Sequence, residues 1–320
     1  MEGVAVRGYR CADEADLLRI WNDALVRDPI DVATFRRKVL LDPNFAGADL
    51  HVAEIEGALA GFCLSLRRRV PMEAPAIDDG ERAWITAFGV APGHRRQGLG
   101  AALLDAACSR LAAAGCTSVA CAPYVPNYFV PGVDVEAYAE GLSFLINRGF
   151  VELDRPISMD TDLVRLDVAP HLAREAELLA RGIEVRCLHA CEIPRLLELL
   201  KTHMPPDWVR HARKILHEVA AGESGFEQFT VAARTRPDGE QEFVGYCQFD
   251  GEHFGPFGVI EALQGQGIGT ILLGRCLQTM QRHGHHGAWV LWTSDHSGQH
   301  VYSRFGFTPT RRFAVLRREL

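Results

Sequence analysis

Val90-Ala91-Pro92-Gly93-His94-Arg95-Arg96-Gln97-Gly98-Leu99-Gly100 and Val259-Ile260-Glu261-Ala262-Leu263-Gln264-Gly265-Gln266-Gly267-Ile268-Gly269 are two versions of one pattern. Each begins at the end of a strand-like run, Trp84–Val90 and His253–Val259. Each leads into an amphipathic helical segment, Ala101–Ala114 and Ile271–His283. Glycine at such a turn lets main-chain N–H groups approach an anion with no Cβ in the way. The start of the helix adds unsatisfied donors and the positive end of the macrodipole. Neither loop ends in the Lys-Ser/Thr pair of a P-loop, which argues against triphosphate hydrolysis. The first loop is cationic, with His94, Arg95 and Arg96; the second is neutral, with Gln264 and Gln266.

Working outward, the two stretches belong to a longer repeat. Val6-Arg7, Leu17-Leu18 and Val52-Ala53 recur at one constant offset as Val185-Arg186, Leu196-Leu197 and Val231-Ala232. Ala60-Gly61-Phe62-Cys63 recurs as Val244-Gly245-Tyr246-Cys247, and Arg148-Gly149-Phe150 as Phe305-Gly306-Phe307. Order is kept while the offset drifts, as insertions in loops would cause, so the chain reads as a duplicated domain. The first copy is longer at Arg67–Arg82 and at Pro123–Val135, the latter rich in proline and aromatics.

Within one copy, Val4–Tyr9 reads as a strand, Asp13 onward and Asp31–Leu41 as helices, and Leu50–Ile55 with Ala58–Leu66 as a hairpin around Glu56-Gly57. Ser118–Ala122 is a buried strand after the helix. The second copy repeats this with Ile183–Leu188, Ile193–Lys201, Phe229–Ala233, Phe243–Phe249 and Ala288–Trp292. This order predicts an α/β (α+β) sheet. A dinucleotide fold would place its glycines in the first strand-to-helix turn, and here they come after several strands. The predicted boundaries are 1–165 for the first domain, 166–182 for a connecting helix and 183–320 for the second domain.

Hydrophobic residues make up 48% of the 320 residues and charged ones 23%, so the chain is globular in composition. A net charge of −7 with no basic stripe argues against nucleic acid as a partner. No apolar run is long enough for a membrane span, and the start lacks a signal-peptide pattern. The 9 cysteines form no C-x-x-C pair and no metal spacing. The expectation is a cytoplasmic protein, monomer or homodimer, with no metal and no membrane partner.

The two loops fit the signature [R/Q]-x-x-G-x-[G/A] after a strand ending in Val, and so resemble the Gcn5-related N-acetyltransferases (GNAT). Val301-Tyr302-Ser303-Arg304-Phe305-Gly306-Phe307 is similar to the last motif of that family. The tandem layout is similar to that of mycothiol synthases and of tandem glucosaminide N-acetyltransferases. The resemblance implies two GNAT domains, each a mixed, mostly antiparallel twisted sheet flanked by helices. It implies acetyl-CoA as cofactor, its diphosphate on the amides of Val90, Arg95–Gly100, Val259 and Gln264–Gly269, and its acetyl carbonyl on a strand N–H.

Amine acetylation needs a neutral amine and a proton for the departing thiolate. The family's tyrosine position is Tyr302 in the second copy and Leu145 in the first, so the second copy is expected to be catalytic with Tyr302 as acid. The family's carboxylate position is His253 there and Trp84 in the first copy; histidine titrates near neutrality and is the candidate base. Tyr124, Tyr128 and Tyr138 offer the first copy a substitute acid. The loop His203–Trp208 is the candidate acceptor contact, and Trp289 and Trp292 are expected to pack on the sheet. The expected reaction is direct attack by a small-molecule primary amine, an amino sugar or glucosaminide being a candidate. The alternative is an acyl-CoA-binding module without catalysis, regulatory or scaffolding.

Overall fold

The computed structural model describes residues 4–70, 80–121, 124, 125 and 127–320, which fall into two compact units. Residues 71–79 of the first predicted insertion, and Ala122, Pro123 and Pro126 at the second, lie outside the described residues.

The first unit runs β1 (Val4–Gly8), α1 (Glu14–Ala24), α2 (Val32–Phe35), β2 (Leu50–Ile55), β3 (Ala58–Arg67), β4 (Arg82–Val90), α3 (Leu99–Ala113), β5 (Ser118–Cys121), β6 (Val133–Asp134), α4 (Ala139–Asn147) and β7 (Val151–Asp154). β1 through β4 pair antiparallel in sequence order, and β4 pairs parallel with β5. The β2–β3 hairpin turns where the sequence predicts, with Glu56 at φ 51° and Gly57 at φ 81°. Two positive φ values in succession match the right-handed twist of the flanking strands.

The second unit runs β8 (Ile157–Asp162), α5 (Ala169–Leu172), α6 (Glu175–Ala180), β9 (Ile183–Cys187), α7 (Ile193–His203), α8 (Pro206–Ala220), β10 (Phe229–Thr235), β11 (Gln241–Asp250), β12 (His253–Val259), α9 (Ile268–Arg282), β13 (Gly287–Thr293) and α10 (Asp295–His300). β9 through β12 pair antiparallel in order, and β12 meets β13 parallel. The predicted connecting helix is two short ones, α5 and α6.

Each sheet takes its last strand from the segment that follows the other copy. β8 pairs with β13 in the second unit. β14 (Thr308–Glu319) pairs through its residues from Phe313 onward with β5, β6 and β7 in the first. Residues 157–162 and 312–320 thus belong to units other than those that boundaries drawn in chain order give them. Edge pairing compensates main-chain donors wherever a strand of matching pattern lies, regardless of its distance in sequence.

Both faces of each sheet are covered. In the first unit Leu103, Leu104 and Leu111 of α3 pack on one face. On the other, Leu17 and Trp21 of α1 pack on β3, with Trp21 stacked on Phe62 at 4.9 Å. In the second, α9 packs on one face through Leu273 and Leu277, and α7 and α8 on the other through Leu196, Leu200 and Val209. Each fully buried leucine contributes roughly 2 kcal/mol. The matched pairs Val6-Arg7 and Val185-Arg186 serve one purpose in both units. Arg7 clamps Asp13 at 2.7 Å, and Arg186 clamps Glu192 at 2.8 Å.

Candidate active site

In the first unit β4 and β5 are paired only from Arg82–Trp84 to Ser118–Ala120. β4 then runs on to Val90 without β5, so the strands part in a V. The second unit repeats the arrangement more abruptly, with a single pair, His253 and Trp289, before β12 runs on alone to Val259. An opening between parallel strands leaves main-chain groups of β4 and β12 without a neighbour on that side, which is where a ligand finds donors.

The glycine turns stand at the open ends. Gly98 has φ 85° and Gly267 φ 86°, immediately before α3 and α9. A side chain at either position would be strained, and no side chain caps either helix, leaving first-turn amides for an anion. One turn earlier Gly265 has φ 75°, and its counterpart Arg96 adopts φ 63° despite its Cβ. Arg95 and Gln264 turn back onto their own strands. Arg95 Nε donates to the Val90 carbonyl at 3.2 Å, and Gln264 Nε2 to the Val259 carbonyl at 3.1 Å. Gln97 Nε2 donates to the Gly93 carbonyl at 3.3 Å. These three side chains brace the turns. The second loop also gains a cation that the sequence reading missed, because Arg181, after α6, donates to Gln266 Oε1. Bare amides with adjoining cations fit a diphosphate.

The first unit has a half-open cavity of about 1060 Å³ lined by Arg96 and Gly98 of the turn, by Ile85–Val90 of β4 and by Trp21, Asp28 and Tyr138. Tyr138 precedes α4 directly. Its hydroxyl donates to Asp28 Oδ2 at 2.7 Å and accepts from the Arg27 N–H at 3.1 Å. Asp23, Glu136 and Glu140 add negative charge to a lining that also holds Arg95, Arg96 and Arg148, and Arg95 Nη2 donates to the Ala24 carbonyl, next to Asp23, at 3.4 Å. Tyr124 serves differently. It is buried, donates to Asp42 Oδ1 at 3.0 Å and accepts from Asn44 Nδ2, and its hydroxyl is pushed up by burial. It anchors the aromatic loop. Leu145 is buried in the α3 core.

In the second unit Tyr302 is only 7% exposed. Its ring packs against Phe254, Phe257 and Phe307 at 5.6, 6.2 and 5.6 Å. Burial raises its hydroxyl, which a hydrogen bond from Thr293 opposes in part, so the phenol stays protonated. His253 packs against Trp289 at 4.3 Å with the rings tilted by 37°. Phe254 belongs to the α9 core with Tyr302, and neighbouring strand residues face opposite ways. The structure therefore does not bring His253 and Tyr302 together. Trp289 and Trp292 are strand residues of β13 that remain 40% and 39% exposed. Within the loop His203–Trp208, the Trp208 ring comes within 2.9 Å, and the Met204 sulfur within 3.2 Å, of where a Cβ on Gly258 would stand. That loop therefore lies on β12.

The family model described as the acetyltransferase (GNAT) family matches residues 15–129, and that of the acetyltransferase (GNAT) domain matches 225–309. Solved structures share the fold at low identity. The GCN5-related glucosamine N-acetyltransferase region of a fungal multi-domain GH3 β-N-acetylglucosaminidase superposes with a TM-score of 0.77 at 18% identity. That match covers 98% of this chain and 38% of the fungal one, so the chain spans well under half of that protein. A GCN5-related N-acetyltransferase from Sphaerobacter thermophilus gives 0.70 at 16% identity, covering 100% and 96% of the two chains. A tandem GNAT protein from the clavulanic acid biosynthesis pathway gives 0.63 at 18%, covering 99% and 98%. No curated protein matches the chain. Among the described residues no helix is long and apolar enough to cross a membrane.

Proposed function

The chain belongs to the GNAT acetyltransferases and carries two such domains in tandem, and from that premise we propose that it moves an acetyl group from acetyl-CoA to the primary amine of a small molecule. Members of the family generally use acetyl-CoA. The observation that carries the proposal is the 1060 Å³ cavity that an uncapped glycine turn and several carboxylates line together. The turn fits a diphosphate and the carboxylates fit a cationic amine. The reaction centre is assigned to the first copy. Asp28 takes the proton of the attacking amine and passes it across the 2.7 Å contact to Tyr138, whose own hydroxyl proton goes to the departing thiolate. Cys121 also lines the cavity, but burial raises its thiol, which favours direct attack over a cysteine acyl-enzyme. An amino sugar is the proposed acceptor class, supported by those carboxylates and by the glucosamine activity named for the fungal region.

A second reading places the chemistry in the second copy. Tyr302 favours it, since its protonated phenol abuts Phe254 and Phe257 of β12 beside the second V. His253 would then act as base from the other face. Thiol release from acetyl-CoA over a panel of amino sugars and linear amines tests the function. Release with one or more amines supports it, and tight CoA binding with release from none points to a binding module.

A further inference from the structure

β13 turns two tryptophans outward. Ala288 and Val290 point into the α9 core, so Trp289 between them faces the other side of the sheet. Alternation alone would send Trp292 back into that core. The ladder to β8 prevents it, because Val290 pairs with Met159 and Thr293 with Ile157, three residues of β13 against two of β8. This β-bulge returns Thr293 to the core, where it bonds the Tyr302 hydroxyl, and brings Trp292 to the face of Trp289. In the first unit the parallel pair is Trp84 and Ala120 where the second has His253 and Trp289. Tyr124 and Arg68 cover Trp84 there at 5.5 and 5.2 Å, whereas both indoles of β13 stay exposed. Large apolar rings gain nothing from facing water, so a bulge that holds two of them on one face points to a contact.

The polar groups beside the indoles define that contact. Asp160 stands directly across the ladder from Trp289. Its neighbours turn inward, Met159 to the α9 core and Thr161 to the Phe305 carbonyl at 2.8 Å, so the Asp160 carboxylate lies on the face of the indoles. It is exposed and, among the described residues, makes no hydrogen bond or ion pair. Asp162 follows on the same face, where it accepts from the Val164 N–H and lies 3.6 Å from Arg165. Neither indole N–H has a partner among the described residues, so each keeps a donor to offer. A matching ligand has an apolar face for the rings, oxygen acceptors for the N–H groups and positive charge for the carboxylates. A protonated amino sugar has all three, and its ammonium group also gains from the indole faces. A linear polyamine lacks the acceptors, and a neutral sugar lacks the charge. Three residues of strand, about 10 Å, separate the two tryptophans, a span for linked sugar rings rather than for one.

We propose that this face of the second copy binds an amino-sugar oligosaccharide, with the indoles of Trp289 and Trp292 under its rings and Asp160 on an ammonium group. The choice of sugar rests on the acceptor class in the functional reading above, but binding needs neither acetyl-CoA nor turnover. Calorimetry on the full chain uses a β-1,4-linked glucosamine tetramer, its fully N-acetylated counterpart and spermidine. The glucosamine tetramer is expected to bind tightest. Trp289→Ala and Trp292→Ala are each expected to weaken it about three- to tenfold. Trp292→Tyr keeps an aromatic face and is expected to retain most of the affinity, which separates lost stacking from a disturbed fold. Asp160→Asn is expected to weaken binding about two- to fivefold at low salt and not at about 1 M. Tetramer affinity unchanged in both alanine variants overturns the proposal, as does Trp292→Tyr binding as weakly as Trp292→Ala. Spermidine or the acetylated tetramer binding as tightly as the glucosamine tetramer overturns it as well. A wild type that dimerises in light scattering while Trp292→Ala stays monomeric would give the face to a second copy of this chain instead. Thiol release that fails with every amine, beside intact tetramer binding, overturns the functional reading alone.

Discussion

At the glycine turn the first copy holds Arg96 in a left-handed conformation where the second has Gly265, and across the parallel ladder it has Ala120 where the second has Trp289. The turns share one backbone, with Gly98 and Gly267 within a degree of each other in φ and both at ψ −6°. Duplication preserved what an anion needs from the main chain and released the side chains around it. In the first copy the space beside the strand is a large cavity with a tyrosine–carboxylate pair; in the second, Trp208 and Met204 lie on the corresponding strand. A shared turn therefore says where a cofactor can sit, and the surrounding side chains say which turn does chemistry.

The largest expected effect separates the two copies directly. Tyr138→Phe should keep CoA affinity and lower turnover about a hundredfold or more, while Tyr302→Phe leaves turnover within a few-fold of wild type. The reverse pattern moves the reaction to the second copy. Steady-state thiol release reads both.

Substituting the turns gives the next effect. Gly98→Ala forces a Cβ into φ 85° at a strain of roughly 1–3 kcal/mol and displaces the first amides of α3. Acetyl-CoA affinity at the first site is expected to fall at least tenfold. Gly267→Ala should spare that site, and two-site calorimetric titration distinguishes the two. A loss at the first site from Gly267→Ala as large as that from Gly98→Ala would show that the effect is not local to the turn.

The clamps at the base of each sheet differ in redundancy. Arg7 holds Asp13 and Glu54 closely, while Arg186 holds Glu192 closely, with Gln241 at 3.2 Å and Glu184 at 3.3 Å further out. The Arg186 guanidinium pulls the Glu192 carboxyl down to about 2, and Arg7 lowers Asp13 in the same direction. A carboxyl lowered on folding stabilises fully above its unfolded value, near 4.5, and that contribution is lost as pH falls through about 2. Glu192→Gln is expected to cost about 2 kcal/mol at pH 7 and to cost much less at pH 2. Urea unfolding at the two pH values checks this. Asp13→Asn should cost less, because Glu54 remains on Arg7.

Legibility in the sequence followed the range of the forces. The glycine turns, the amphipathic helices and the Glu56-Gly57 hairpin are local, so spacing alone discloses them. The strand exchange is not local. Ile157–Asp162 and Phe313–Glu319 have strand patterns, but nothing in a pattern names the edge that it will pair with. Tyr138 was visible as a candidate, whereas its pairing with Asp28 joins residues 110 apart. Arg181 reached the second loop from a segment read only as a connection. The outward turn of Trp292 gave no signal, because a bulge shows only in the ladder. Motif spacing ranked Tyr302 first, and the structure set that phenol in an aromatic core on the face opposite His253.

The smallest expected effect concerns Arg96 itself. A non-glycine residue in the left-handed region costs about 1–2 kcal/mol, and a cation there attracts a diphosphate. Arg96→Gly copies the second loop into the first. Relief of strain is partly offset by the greater freedom of glycine in the unfolded chain, so melting should rise by only about 1–2 °C. Acetyl-CoA affinity should fall two- to fivefold at low salt, and the difference from wild type should vanish near 1 M, where screening acts within about 3 Å. Stability rising while affinity falls would show that the first copy keeps the strained arginine for its charge; equal affinity at low salt would leave the left-handed arginine without that reason.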